Sequence, residues 1–107
     1  MGVNLIVWKW AATHDSDSKR RKLGIKYRDI AEGFNANGRH PAMAAHDFAD
    51  FDSAVTEALG PTSPDGAYLV EHHPWARVFA LPYSRVPELV MRIGALARKH
   101  KLTAVES

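Results

Sequence analysis

The first apolar stretch of the chain, residues 3–11, has the composition of a β-strand, rich in Val, Ile, Leu and Trp. Its large side chains alternate between two faces, with Leu5 and Val7 on one and Ile6, Trp8 and Trp10 on the other. A strand that is apolar on both faces usually lies in the interior of its sheet. We therefore expect this strand to be central.

Three later stretches have helical spacing. The first covers residues 19–34 and ends at the turn-forming residues 35–38. The second covers residues 50–59 and is stopped by Gly60 and Pro61. The third is the clearest, because six apolar residues form one stripe along it: Val86, Leu89, Val90, Ile93, Leu96 and Ala97.

Further strands are predicted at residues 67–72, 77–83 and 102–105, with a turn-rich loop at 61–66 and a hairpin turn at 73–75. The predicted order is β-α-α-β-β-α-β. Without one of the early helices, this is the order of a ferredoxin-like sandwich. We therefore expect one α+β domain over residues 1–107, a four-stranded antiparallel sheet with its helices on one face, and an open opposite face.

Composition sets broad limits on function. The chain has 107 residues, of which 46% are hydrophobic and 24% charged, as in an ordinary globular domain. Cysteine is absent, which excludes disulfides and thiolate metal sites. Lys9 interrupts the apolar N-terminal stretch, and no run approaches the roughly 18 apolar residues of a membrane span. We expect a cytoplasmic protein that makes no membrane contact.

Sequence motifs for catalysis are missing. The chain contains no GxSxG, GxGxxG or phosphate-binding GxxxxGK[ST] motif. His72 ends a predicted strand and His73 follows it, so while the chain is extended they should point to opposite faces and cannot easily share a metal ion. The expectation is a protein without catalytic residues, metal or cofactor.

A basic run, residues 19–28, carries six Lys or Arg residues. The simpler interpretation is the solvent-exposed start of a helix. The more specific interpretation is a binding site for phosphate or RNA. The third predicted strand, residues 76–81, lacks the glycines and the second aromatic residue of RNA-recognition domains. This argues against nucleic acid as the partner.

Two groups of residues suit a protein interface. Asp47, Asp50 and Asp52 lie at the start of the second helix, where they can cap it or present negative charge to a basic partner. Trp10 and Trp75 are candidate aromatic anchors, because Trp is enriched among binding hot spots. These five residues are the predicted partner-binding set.

Several segments together resemble a group of small bacterial proteins. They are the VWKW of the first strand, residues 38–41, the pair Asp47-Phe48 with residues 51–59, and the LPYSRVPELV segment before the closing strand. The chain resembles the immunity proteins of polymorphic and secreted toxin systems. The resemblance implies a cytosolic, non-enzymatic protein that neutralises a cognate toxin by occupying its active cleft. It assigns no individual binding residue.

Two other functions stay open. A dimeric ferredoxin-like ligand binder or enzyme would hold its ligand on the open sheet face, in a pocket lined by Trp8, Tyr68 and His72. A nucleic-acid binder would use the basic run at 19–28.

Overall fold

The computed structural model describes residues 2–60 and 68–106. The predicted loop at 61–66 and the first residue of the predicted strand at 67–72 lie outside them. The elements in chain order are β1 (Gly2–Trp10), α1 (Asp17–Leu23), α2 (Tyr27–Asn37), β2 (Met43–Ala44), α3 (Ala49–Leu59), β3 (Leu69–His72), β4 (Ala76–Pro82), α4 (Val86–Lys99) and β5 (Thr103–Glu106).

The strands form one antiparallel sheet. Its main path is β3-β4-β1-β5, and the two-residue β2 pairs with Lys9 and Trp10 at the end of β1. β1 is hydrogen-bonded along both edges, to β4 and to β5. The predictions of an α+β fold, an antiparallel sheet and a central first strand are confirmed. β2 was not predicted, because two residues carry no periodicity.

α3 and α4 cover one face of the sheet. Leu5 and Val7 of β1 and Phe79 and Leu81 of β4 point to this side. They pack against buried side chains of the two helices, namely Phe51, Val55, Leu89, Ile93 and Ala97. We call this cluster the α3–α4 core. It matches the apolar stripes that the sequence predicts for both helices.

α2 covers the other face, so the prediction that all helices lie on one side is wrong. Ile6 and Trp8 of β1 are fully buried on this side. They pack with three side chains of α2, which are Ile30, Ala31 and Phe34. We call this cluster the α2 core. The physical reason is that large apolar residues on both faces of β1 must both leave water, and one helical layer can cover only one of them.

Part of that second face remains uncovered. Asn4, Ala80 and Leu69 lie side by side on β1, β4 and β3, at the end of the sheet away from α2. All three are exposed, and Leu69 keeps 50% of its accessible surface. Within residues 2–60 and 68–106, the open face predicted from the sequence is therefore reduced to this end of the sheet.

The predicted helix at 19–34 is two helices. Gly24 adopts a left-handed conformation with φ 64°, and its N–H donates to the carbonyls of Arg20 and Arg21. This is a usual way to end a helix, and glycine adopts the conformation without a steric penalty. Leu23, just before the break, is exposed rather than buried with α2.

Replacing Phe34 by Ala tests whether α2 is part of the folded core. We expect F34A to lower the free energy of unfolding by about 3–5 kcal/mol, since it leaves a cavity beside Trp8. L23A, which truncates an exposed residue at the end of α1, should change it by less than about 0.5 kcal/mol. Urea unfolding measures both. Equal small effects would mean that α2 does not cover this face.

Candidate functional site

Charge is divided unevenly along the chain. No Lys or Arg lies between Arg39 and Arg77, whereas six of the twelve acidic residues do. Residues 40–76 therefore carry a formal charge of −6, and the rest of the chain carries +8. The overall charge of +2 does not reveal this division. Counting the charged residues segment by segment along the sequence reveals it.

The exposed carboxylates of α3 and of the residues just before it form what we call the acidic surface: Asp47, Asp50 and Glu57. Asp47 precedes the helix, and its carboxylate accepts the N–H of Ala49 at 2.9 Å. Asp50 and Glu57 are seven residues apart, so they project from the same side of the helix. Asp47 and Asp50 of the predicted set thus lie together, and Glu57 joins them although sequence reasoning did not select it.

Asp52, unlike Asp47 and Asp50, forms an ion pair within the fold. Its carboxylate accepts hydrogen bonds from Arg77, with Nε at 2.9 Å from Oδ1 and Nη2 at 3.0 Å from Oδ2. Arg77 also donates from Nη1 to the carbonyl of His73 at 2.7 Å, and its guanidinium lies 4.4 Å from the ring centre of Phe48. This pair fastens α3 to β4, so the charge of Asp52 is already neutralised within the fold.

A cleft of about 310 Å³ lies between α3 and β3. Tyr68 and His72 line it, together with Asp52, Val55 and Val70. The Tyr68 hydroxyl donates to the carbonyl of Gly60 at 2.8 Å, and burial raises the pKa of this phenol. Trp8 belongs to the α2 core on the opposite face. The predicted pocket of Trp8, Tyr68 and His72 on an open face is therefore wrong, because these residues do not share a face.

The two candidate tryptophan anchors lie on the α2 side of the molecule. Trp10 is half-buried, with the guanidinium of Arg20 at 4.6 Å from its ring and Tyr27 at 5.8 Å. Trp75 is half-buried against the α2 core, with Arg39 at 6.0 Å. The five predicted partner-binding residues therefore do not form one surface, because the acids of α3 lie on the opposite side of the sheet.

A second cleft, which we call the basic cleft, lies where α1 meets α2 and has a volume of about 520 Å³. Its charged lining consists of Arg20, Arg21, Lys26 and Asp17. Arg20 and Asp17 form an ion pair. No carboxylate among the described residues lies within ion-pairing distance of Arg21 or Lys26, and both are exposed.

The histidines are spread over the fold. Burial lowers the pKa of His40, and its Nδ1 accepts the N–H of Ala42 at 3.0 Å. Burial also lowers the pKa of His46, with a further contribution from Lys9. In residues 2–60 and 68–106, no three His, Asp or Glu side chains are close enough together to hold a metal ion. Over the same residues, no helix has the length and apolarity needed to cross a bilayer.

The substitution D52N tests the structural role of Asp52. Removing its charge weakens the hydrogen bonds from Arg77, so the free energy of unfolding should fall by about 2 kcal/mol. E57Q, which removes an exposed charge from the same helix, should change it by less than about 0.5 kcal/mol. The readout is urea unfolding at neutral pH. A D52N protein as stable as E57Q would show that the pair with Arg77 does not fasten α3.

Comparisons with protein-family models, with curated proteins and with solved structures find no match to this chain.

Proposed function

We propose that this chain is a non-enzymatic protein-binding domain that uses the acidic surface of α3 to bind a basic partner. The observation that carries the proposal is that Asp47, Asp50 and Glu57 are all exposed and that none of the ion pairs among the described residues includes them. A surface whose charges all have one sign attracts a partner of opposite charge and repels partners of the same charge.

The partner we propose is a toxin, and the chain is its immunity protein. An enzyme that acts on nucleic acid must present cations to the phosphates of its substrate. A rigid acidic helix that enters such a cleft would compete directly with the substrate. This mode of inhibition agrees with the resemblance to immunity proteins, and we propose that the chain acts in the cytoplasm together with its partner.

The position of α3 supports this mode of binding. Phe51 and Val55 anchor the helix in the α3–α4 core, and the pair of Asp52 with Arg77 fastens its first turn to β4. The acidic surface is therefore held in place before the partner arrives. A surface that is already ordered loses less conformational entropy on binding, which favours affinity.

We assign the chain the fold of a ferredoxin-like sandwich with an insertion. The order β3-β4-β1-β5 and the two helices α3 and α4 on one face support this assignment. The segment from α1 to β2 is then inserted between the first strand and α3, and it covers the face that such a sandwich leaves open.

A binding experiment with a triple variant tests the proposal. The partner to use is the protein encoded by the adjacent upstream reading frame, since toxins and their immunity proteins are expected to be encoded together. The triple variant D47N/D50N/E57Q should associate with it at least tenfold more slowly than the natural chain at low ionic strength, because it lacks the attracting charges. Stopped-flow fluorescence measures the rate.

A matched variant, D29N/E32Q/E106Q, removes three carboxylates elsewhere and changes the net charge equally. It should associate within about twofold of the natural chain. Equal slowing by both triple variants would mean that only the total charge matters. Failure of the natural chain to bind the neighbouring protein, or to inhibit it, would overturn the immunity assignment.

A further inference from the structure

The basic cleft at the α1–α2 corner is built by the break between the two helices. Gly24 turns the chain in its left-handed conformation, and Ile25 and Lys26 continue it into α2. The result is a concave surface lined by the ends of both helices. It has a volume of about 520 Å³ and is largely open to solvent.

The cations around the cleft fall into two groups. Lys19 pairs with Asp15 at 2.7 Å, and Arg28 pairs with Glu32 at 3.1 Å. Both pairs are exposed to solvent, and neither Lys19 nor Arg28 lines the cleft. Arg21 and Lys26 are exposed, and no carboxylate in the described part of the chain pairs with them. They supply two positive charges on the wall of the cleft.

Arg20 forms a fixed wall of the cleft. Its guanidinium pairs with Asp17, donates to the carbonyl of His14 at 2.7 Å and lies over the ring of Trp10 at 4.6 Å. These contacts hold Arg20 in one position and neutralise the only carboxylate among the residues that line the cleft. An anion that enters the cleft therefore meets a net positive lining.

Tyr27 adds an aromatic surface beside the two unpaired cations. Its ring contacts Trp10, with 5.8 Å between ring centres, and 46% of the residue remains exposed. Contact with Trp10 braces the ring, while the exposed part is accessible to a ligand in the cleft. Aromatic side chains that lie next to cations are a usual combination for binding nucleotides, since bases stack on the ring and phosphates contact the cations.

We propose that the basic cleft binds a nucleotide unit, with its phosphate at Arg21 and Lys26 and its base on the ring of Tyr27. The unit is either a free nucleotide or part of a single-stranded nucleic acid. This site is separate from the acidic surface, which lies across the sheet, and it does not depend on the toxin proposal. It also differs from the sheet-based RNA recognition that the sequence of β4 argues against.

The test uses fluorescence anisotropy with a fluorescein-labelled octa-adenylate and unlabelled adenosine 5′-monophosphate as competitor. We expect R21A/K26A to weaken binding of the octa-adenylate at least tenfold. R98A/K99A removes two exposed cations of α4, and it should weaken binding less than twofold. Y27L should weaken it about tenfold through loss of stacking, whereas Y27W should retain it.

Competition by the mononucleotide would show that one nucleotide unit is enough for binding, and binding of the octa-adenylate without such competition would show that a strand is needed; either result supports the site. Three results would overturn it: no binding of either probe, equal weakening by R21A/K26A and R98A/K99A, or equally tight binding of labelled octa-glutamate. Circular dichroism melting of each variant separates lost binding from lost folding. None of these readouts involves the toxin partner.

Discussion

The burial of β1 on both faces is the constraint that shapes the rest of the fold. Leu5, Ile6, Val7 and Trp8 are all buried, in alternation between the α3–α4 core and the α2 core. Trp8 shows how strong the constraint is. Its Nε1 is buried with no hydrogen-bond partner among the described residues, which costs about 1–3 kcal/mol. Burying roughly 200 Å² of indole surface contributes about 5 kcal/mol and outweighs that cost.

The acidic surface and the basic cleft lie on opposite sides of the sheet, and this links the fold to its proposed functions. α3, on one face, belongs to the acidic segment 40–76, while α1 and the start of α2, on the other side, belong to the basic remainder. The sheet keeps the two charged regions apart. A basic partner is therefore attracted to α3 and an anionic ligand to the basic cleft, and neither needs to exclude the other.

The sequence predicted those parts of the fold that depend on local periodicity. The alternation in β1 and the stripe of α4 are strong, and both elements were found near their predicted positions. Which face of the sheet α2 covers could not be predicted, because a stripe shows that a helix is buried but not against what. The break at Gly24 was not predicted, since its φ of 64° has no direct signature in the sequence.

Only part of the candidate site could be predicted, because a sequence shows local features and not tertiary contacts. Exposed acids at a helix start are visible in the sequence, and Asp47 and Asp50 were found exposed. The pairing of Asp52 with Arg77 joins residues 25 positions apart, and only the tertiary structure brings them together. Likewise, the separation of Trp10 and Trp75 from the acids depends on the face that α2 covers.

Amide cross-saturation by NMR is the most direct measurement of the central claim, that partner recognition takes place on α3. The isotopically labelled chain would be saturated through its complex with the neighbouring protein. We expect the strongest signal loss at Asp47, Asp50 and Glu57 and little change around Tyr27. Signal loss confined to α2 and the basic cleft, with α3 unaffected, would contradict recognition on α3.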